Sequence, residues 1–210
     1  MDRFADLVPH WPMAITAIGD GAVMLPLAVV LLVAVFDADR TGAALWAMLI
    51  VAVLGLVAMV KIAFYAGVGG TGNASGHAAL AALVLGGLGR FAPIFLARKS
   101  AVAAVRVVCL LLVLGIGVSR IALGYHRPSE VLTGLGLATL GLIILYRRPL
   151  AAQARRSPAI LILALLILPL TYGNVSSADV RLVELAQDLA LRLGWTPPPP
   201  VALSAPVPAK

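Results

Sequence analysis

The sequence predicts an all-α fold, a polytopic membrane helix bundle of about six transmembrane helices followed by a C-terminal amphipathic helix. Three observations carry that prediction. Apolar residues fill 61% of the 210 positions and charged residues only 12%, whereas a soluble domain has about 45–50% and about 25%. The apolar residues gather in runs of the roughly 20 residues needed to cross a bilayer. Runs such as Leu27 to Phe36 also lack the polar–apolar alternation of a transmembrane β-barrel.

Taken in order, the expected spans are 12–36, 42–64, 75–97, 101–119, 130–146 and 157–173. Trp11 is placed to anchor the first at the interface. That run is long enough to span, and Met1-Asp2-Arg3-Phe4 is no basic leader, so it is expected to be retained. Asp20, near its start, reads either as a helix-entry polar group or as a partner of a site on the outer face. Asp37-Ala38-Asp39-Arg40 forms the first turn. A glycine-rich stretch, Gly67-Val68-Gly69-Gly70-Thr71-Gly72-Asn73-Ala74-Ser75-Gly76-His77, follows the second span. Such glycine density breaks a helix and lets backbone N–H groups approach an anion. It is no Walker loop, because no Gly-Lys-Ser/Thr ends it. Arg90 and Pro93 interrupt the third run, so an early end is expected there.

Beyond the last span, Val180, Val183, Ala186, Leu189, Ala190 and Leu193 share a helical face, while Arg181, Glu184, Asp188 and Arg192 lie elsewhere on the wheel. Ser176-x-x-Asp179 marks a start and Gly194 a stop. The expectation is an interfacial helix ending at Trp195, or one packed on the bundle's outer face. Three regions are expected: 1–175 the membrane domain, 176–195 the amphipathic helix, and 196–210 a proline-rich tail, extended and disordered.

Charge then orients the bundle. Arg40, Arg90, Arg98, Lys99, Arg106, Arg147, Arg148, Arg155 and Arg156 fall at one end of the six-span arrangement. Lys61, Arg120, Arg127 and both termini fall at the other. The positive-inside rule makes the first end cytoplasmic, so the protein is expected in a bacterial-type inner membrane with both termini and the second end extracytoplasmic. Basic residues here report topology rather than nucleic-acid binding, since no aromatic residues interleave with them. One cysteine, Cys109, excludes an intrachain disulfide.

The polar residues of the second end carry the chemistry. They are Lys61, Ser75 with His77, and the patch Ser119-Arg120-x5-His126-x3-Glu130. Singly, each has a plain explanation: a snorkelling lysine, a helix cap, an interfacial histidine, a first-turn carboxylate. Together they place two of only three histidines beside cations and a carboxylate. Ionisable groups are expensive in a membrane protein and mark function. Cationic donors and a helix start suit a phosphate. Two imidazoles suit a transfer in which one attacks and the other gives a proton. A carboxylate four residues from His126 sits on the same helical face, where it fixes the tautomer. This describes a phosphoryl-transfer site with no cofactor and no metal. Zinc held by His77, His126 and Glu130 is the competing reading, opposed by Lys61 and Arg120.

These residues also carry a resemblance. Ser119-Arg120-x5-His126-x3-Glu130 resembles the third signature of the type-2 phosphatidic acid phosphatase superfamily, S-R-x5-H-x3-D. Ala74-Ser75-Gly76-His77 is similar to its second, P-S-G-H, and Lys61 stands where its first, K-x6-R-P, begins. The resemblance covers 61–145. It implies a membrane lipid phosphatase, similar to those acting on undecaprenyl diphosphate, phosphatidylglycerophosphate or phosphatidic acid. His126 would form a phosphohistidine, Glu130 would hold it, and His77 would protonate the leaving group. Lys61, Ser75, Gly76 and Arg120 would bind the phosphoryl oxygens, with Ser119, Arg127 and Asn73 as further candidates. Val68-Gly69 replaces Arg-Pro, Ala74 replaces Pro, and Glu130 replaces Asp. The partners implied are a lipid phosphate and membrane lipids. Transfer to a lipid or sugar acceptor, and a non-catalytic lipid-binding or transport protein, are the alternatives.

Overall fold

The computed structural model describes residues 11–66, 73–150 and 178–194. Among them every regular element is a helix: α1 (Trp11–Ile18), α2 (Gly21–Phe36), α3 (Arg40–Tyr65), α4 (Gly76–Phe95), α5 (Lys99–Ala122), α6 (Pro128–Arg147) and α7 (Ala178–Arg192). Four of these, α3 to α6, are long and apolar enough to cross a membrane. The 26 residues of α3 extend about 39 Å, beyond the roughly 30 Å of hydrocarbon. The protein is an all-α membrane bundle. The expected span at 157–173 lies outside the described residues, as do the glycines at 67–72.

The expected first span, 12–36, proves to be two helices bent by 42°. The break falls at Gly19–Asp20, and its cause is chemical. Asp20 adopts an extended backbone and caps α2, its Oδ1 accepting from the Ala22 amide at 2.8 Å. A side chain on Gly19 would strike Ile116 of α5, so glycine lets the bend lie against that helix. Counted as one broken span, the pair brings the described crossings to five.

Helix α4 is the axis of the bundle. In its most apolar stretch 89% of residues are buried, against 22–28% for α3, α5 and α6. It packs against α2, α3, α5 and α6. Its alanines and glycines allow this, because small residues let backbones approach where lipid supplies no hydrophobic drive. Trp46 shows the principle: its indole N–H donates to the Leu83 carbonyl at 3.0 Å, and a side chain on Gly87 would occupy the ring's place. The early end expected from Arg90 and Pro93 does not occur, and α4 runs through both to Phe95. Pro93 lies in the last turn, and the Arg90 guanidinium donates to the Arg148 carbonyl at 2.7 Å.

The outward faces of α3, α5 and α6 present Val51, Met59, Leu111, Leu132 and Leu140, each more than 60% exposed, as a lipid-facing surface requires. Helix α7 packs on α3 with Ala190 buried, while Leu185, Leu191 and Leu193 stay exposed. Its Arg192 pairs with Asp188 at 2.8 Å on the open side.

Candidate functional site

Helix alternation brings the start of α2, the end of α3, the start of α4, the end of α5 and the start of α6 to one end of the bundle. Every candidate residue lies there. Two backbone contacts fix the geometry. The Ser75 amide donates to the Glu130 carbonyl at 2.9 Å, tying the entry of α4 to the first turn of α6. Gly134, one turn further on, lies so close to the Ser75 carbonyl that a Cβ would overlap it. Only glycine permits that approach.

His126 sits in the loop between α5 and α6, which turns at Gly124 with φ +70. Its Nδ1 lies 2.8 Å from Glu130 Oε2, and the two side chains are only 6% and 12% exposed. The same Oε2 accepts from the Arg127 amide at 3.2 Å. An ionised carboxylate only accepts, so Nδ1 carries the proton and Nε2 keeps its lone pair. Burial depresses the His126 pKa most. Glu130 opposes that through its hydrogen bond, while the charges of Arg120 and Lys61 push the same way as burial. The balance favours the neutral imidazole more than in a free histidine.

The cations are fixed from several elements. Lys61, in the penultimate turn of α3, is 2% exposed. Arg120, in the last turn of α5, is 8% exposed. The Arg120 guanidinium donates to Thr16 Oγ1 of α1 at 3.4 Å and stacks over the Tyr125 ring at 4.6 Å. Ser75 is fully buried, and its Oγ accepts from the Ala78 amide at 3.4 Å as the cap of α4. Gly76 opens that helix, whose free N–H groups and dipole favour an anion.

His77 lies in the first turn of α4. Its Nε2 is 3.2 Å from Asp20 Oδ2. The Asp20 carboxylate therefore serves twice, capping α2 with one oxygen and meeting His77 with the other. This leaves His77 Nδ1 outside the pair.

Three of the remaining candidates take local positions. Ser119 is fully buried and its hydroxyl donates to the Ile116 carbonyl at 2.8 Å. Asn73 is 5% exposed and its Oδ1 accepts from the Ala74 amide at 2.7 Å. Arg127 is exposed, and its amide rather than its side chain meets Glu130. The Asn73 contact explains one departure from the signature: a proline at 74 would have no N–H, and the asparagine side chain braces the loop in its stead. Glu130 likewise reaches His126 within a regular first helical turn, so the longer arm is accommodated.

Sequence reasoning did not find Tyr125, Thr16 or Gly134. Tyr125 stands five residues after Arg120, and only the turn at Gly124 folds it back over the guanidinium. Among the described residues no three His, Cys, Asp or Glu side chains gather to ligate an ion. The family model of the PAP2 superfamily matches residues 21–154 of this chain. Neither a curated protein nor a solved structure gives a significant match.

Proposed function

The chain belongs to the PAP2 superfamily, typically phosphatases, and on that premise we propose that it releases phosphate from a membrane lipid phosphate or diphosphate through a phosphohistidine. The observation that carries this reading is the shielded His126–Glu130 pair at 2.8 Å, facing the charges of Lys61 and Arg120.

The chemistry follows from the geometry. Lys61, Arg120 and the amide at Gly76 take the phosphoryl oxygens, where fixed donors stabilise charge as it builds. The Nε2 lone pair of His126 attacks phosphorus, and the bond from phosphorus to the leaving oxygen breaks. His77 gives that oxygen its proton from Nδ1, and Asp20 holds the ring in place. Glu130 balances the positive charge on the His126 ring. Water then attacks phosphorus while His77 takes its proton, the P–N bond breaks, and phosphate leaves. Both histidines return to their starting states.

The apolar flanks of α3, α5 and α6 favour a substrate whose tail stays in the bilayer. The basic residues at the far end of the bundle favour an extracytoplasmic site. The test is phosphate release in detergent micelles containing EDTA, over lipid monophosphates and diphosphates, for the parent and His126→Ala. Release by the parent, lost by at least about 10³-fold in the variant, is expected. Activity of the variant within a few-fold of the parent would overturn the nucleophile. Dependence on a divalent metal would overturn the histidine mechanism, and release only with an added acceptor would assign a transferase.

A further inference from the structure

Two cavities lie along α5 with no histidine in their walls, and they share one residue, Arg106. The first, about 380 Å³, lies between the end of α4 and the start of α5, lined by Pro93, Leu96, Lys99, Val102 and Arg106. The second, about 330 Å³, lies between α4, α5 and α6, lined by Leu85, Arg106, Leu110, Val113, Leu135 and Thr139. Lys99, Val102, Arg106 and Val113 recur at intervals of three, four and seven along α5, so they form one stripe of that helix. From Lys99 to Arg106 the stripe covers about 10 Å, and from Arg106 to Val113 about another 10 Å.

The two halves differ in character. The outer half holds two exposed cations, Lys99 and Arg106, at the end of the bundle that also carries Arg98, Arg147 and Arg148. The inner half is apolar apart from Thr139 and Tyr146. Arg106 marks the boundary, its Nε–H held by the Gly89 carbonyl at 3.0 Å. Beside it the Tyr146 hydroxyl donates to the Gly86 carbonyl at 3.1 Å. The two glycines leave α4 bare there, and side chains on them would meet Arg106, Tyr146 and Leu142. Helices α5 and α6 touch each other little, which leaves the slot between them open to lipid from the side.

We propose that this slot binds one anionic glycerophospholipid from the leaflet at the basic end, with its phosphate on Lys99 and Arg106 and an acyl chain in the inner half. The polarity chooses the occupant. A substrate phosphate held at the histidines would lay the end of its tail against two cations, which offer a hydrocarbon nothing. A lipid entering from the other leaflet puts its charge where the cations are, and basic pockets between transmembrane helices are suited to such head groups. An acyl chain then runs about 10 Å inward, within the roughly 15 Å that one leaflet's hydrocarbon measures. The proposal is independent of the phosphatase reading.

The test is native mass spectrometry of the full chain from nanodiscs of equal parts phosphatidylglycerol and phosphatidylcholine. The parent should retain one phosphatidylglycerol per chain in preference to phosphatidylcholine, and excess inorganic phosphate should not displace it. Lys99→Gln with Arg106→Gln should reduce that preference by about 25-fold, at roughly fivefold for each of the two lost charge contacts. Thr139→Trp fills the slot from α6 with both cations intact, so it should also lose the lipid; it decides the matter if the double variant misfolds. No head-group preference in the parent, unchanged retention in the variants, or displacement by free phosphate would overturn the proposal. So would a Thr139→Trp variant that keeps phosphatidylglycerol but raises KM for the lipid phosphate, which would give the slot to the substrate tail.

Discussion

His126 and His77 are each held by a carboxylate, and the two pairs predict different losses. Glu130 is the influence that most favours the charged form of His126, while burial, Arg120 and Lys61 oppose it. Removing the carboxylate in Glu130→Gln therefore lowers the imidazole pKa further. The acid limb of kcat/KM, expected below the ordinary histidine value in the parent, should move to still lower pH in the variant. The rate should drop by about 10³-fold or more, as when a triad loses its carboxylate. A limb that stays in place, measured over a full pH profile, would contradict the assignment. Asp20→Asn keeps a good cap for α2 but takes the charge from His77. It should cost about 10- to 100-fold in kcat on a lipid phosphate, part of what a general acid supplies. The loss should shrink on p-nitrophenyl phosphate, whose leaving group needs no proton; an equal loss on both would make Asp20 merely structural. The carboxylate of Glu130 was legible from its four-residue spacing to His126. Asp20 was legible only as one of two alternatives, because 57 positions separate it from His77.

At the scale of elements the site depends on how α4 meets α6. The Ser75–Glu130 backbone hydrogen bond and the bare face of Gly134 set that junction. Gly134→Ala puts a methyl group against a backbone carbonyl that has no rotamer to yield. It should destabilise the fold by about 1–3 kcal/mol and separate the start of α4 from α6. Phosphate release should fall sharply even at temperatures where circular dichroism shows the helices intact. A variant as active and as heat-stable as the parent would refute the junction. Helix existence was legible for α3, α5 and α6, whose apolar runs are long and bounded by turn residues. The break at Gly19–Asp20 was not, since an aspartate within an apolar run reads equally as a polar group on a continuous helix. Capping of Ala22 decided it. The full length of α4 also escaped the sequence. Its arginine and proline read as interruptions, yet Arg148 supplies a carbonyl for one, and the Gly89 carbonyl that the other cannot bond accepts from Arg106 instead.

At the scale of the whole molecule the bundle is polarised. His77, His126, Lys61 and Arg120 lie at one end, and Arg40, Arg98, Lys99, Arg147 and Arg148 at the other. With Cys109 replaced by alanine, Ser129→Cys should react in intact cells with a membrane-impermeant maleimide. Ser100→Cys, in the exposed first turn of α5, should react only after permeabilisation. The reverse pattern would place the end that holds His77 and His126 in the cytoplasm. Composition and run length determined by themselves that this chain is an all-α membrane protein, because no arrangement in water could cover so much apolar surface. Spacing within one segment made the His126–Glu130 pair legible, although His126 lies in the loop just before α6 and the carboxylate reaches back to it from the first turn of that helix. Tertiary structure alone decided that α4 is the axis, that Asp20 serves His77, and that Tyr125 and Thr16 hold Arg120. It also decided that Gly134 must be glycine and that a basic-mouthed slot opens between α5 and α6. Each of these depends on which faces of separate helices meet, and contacts between distant segments leave no periodic trace in either one.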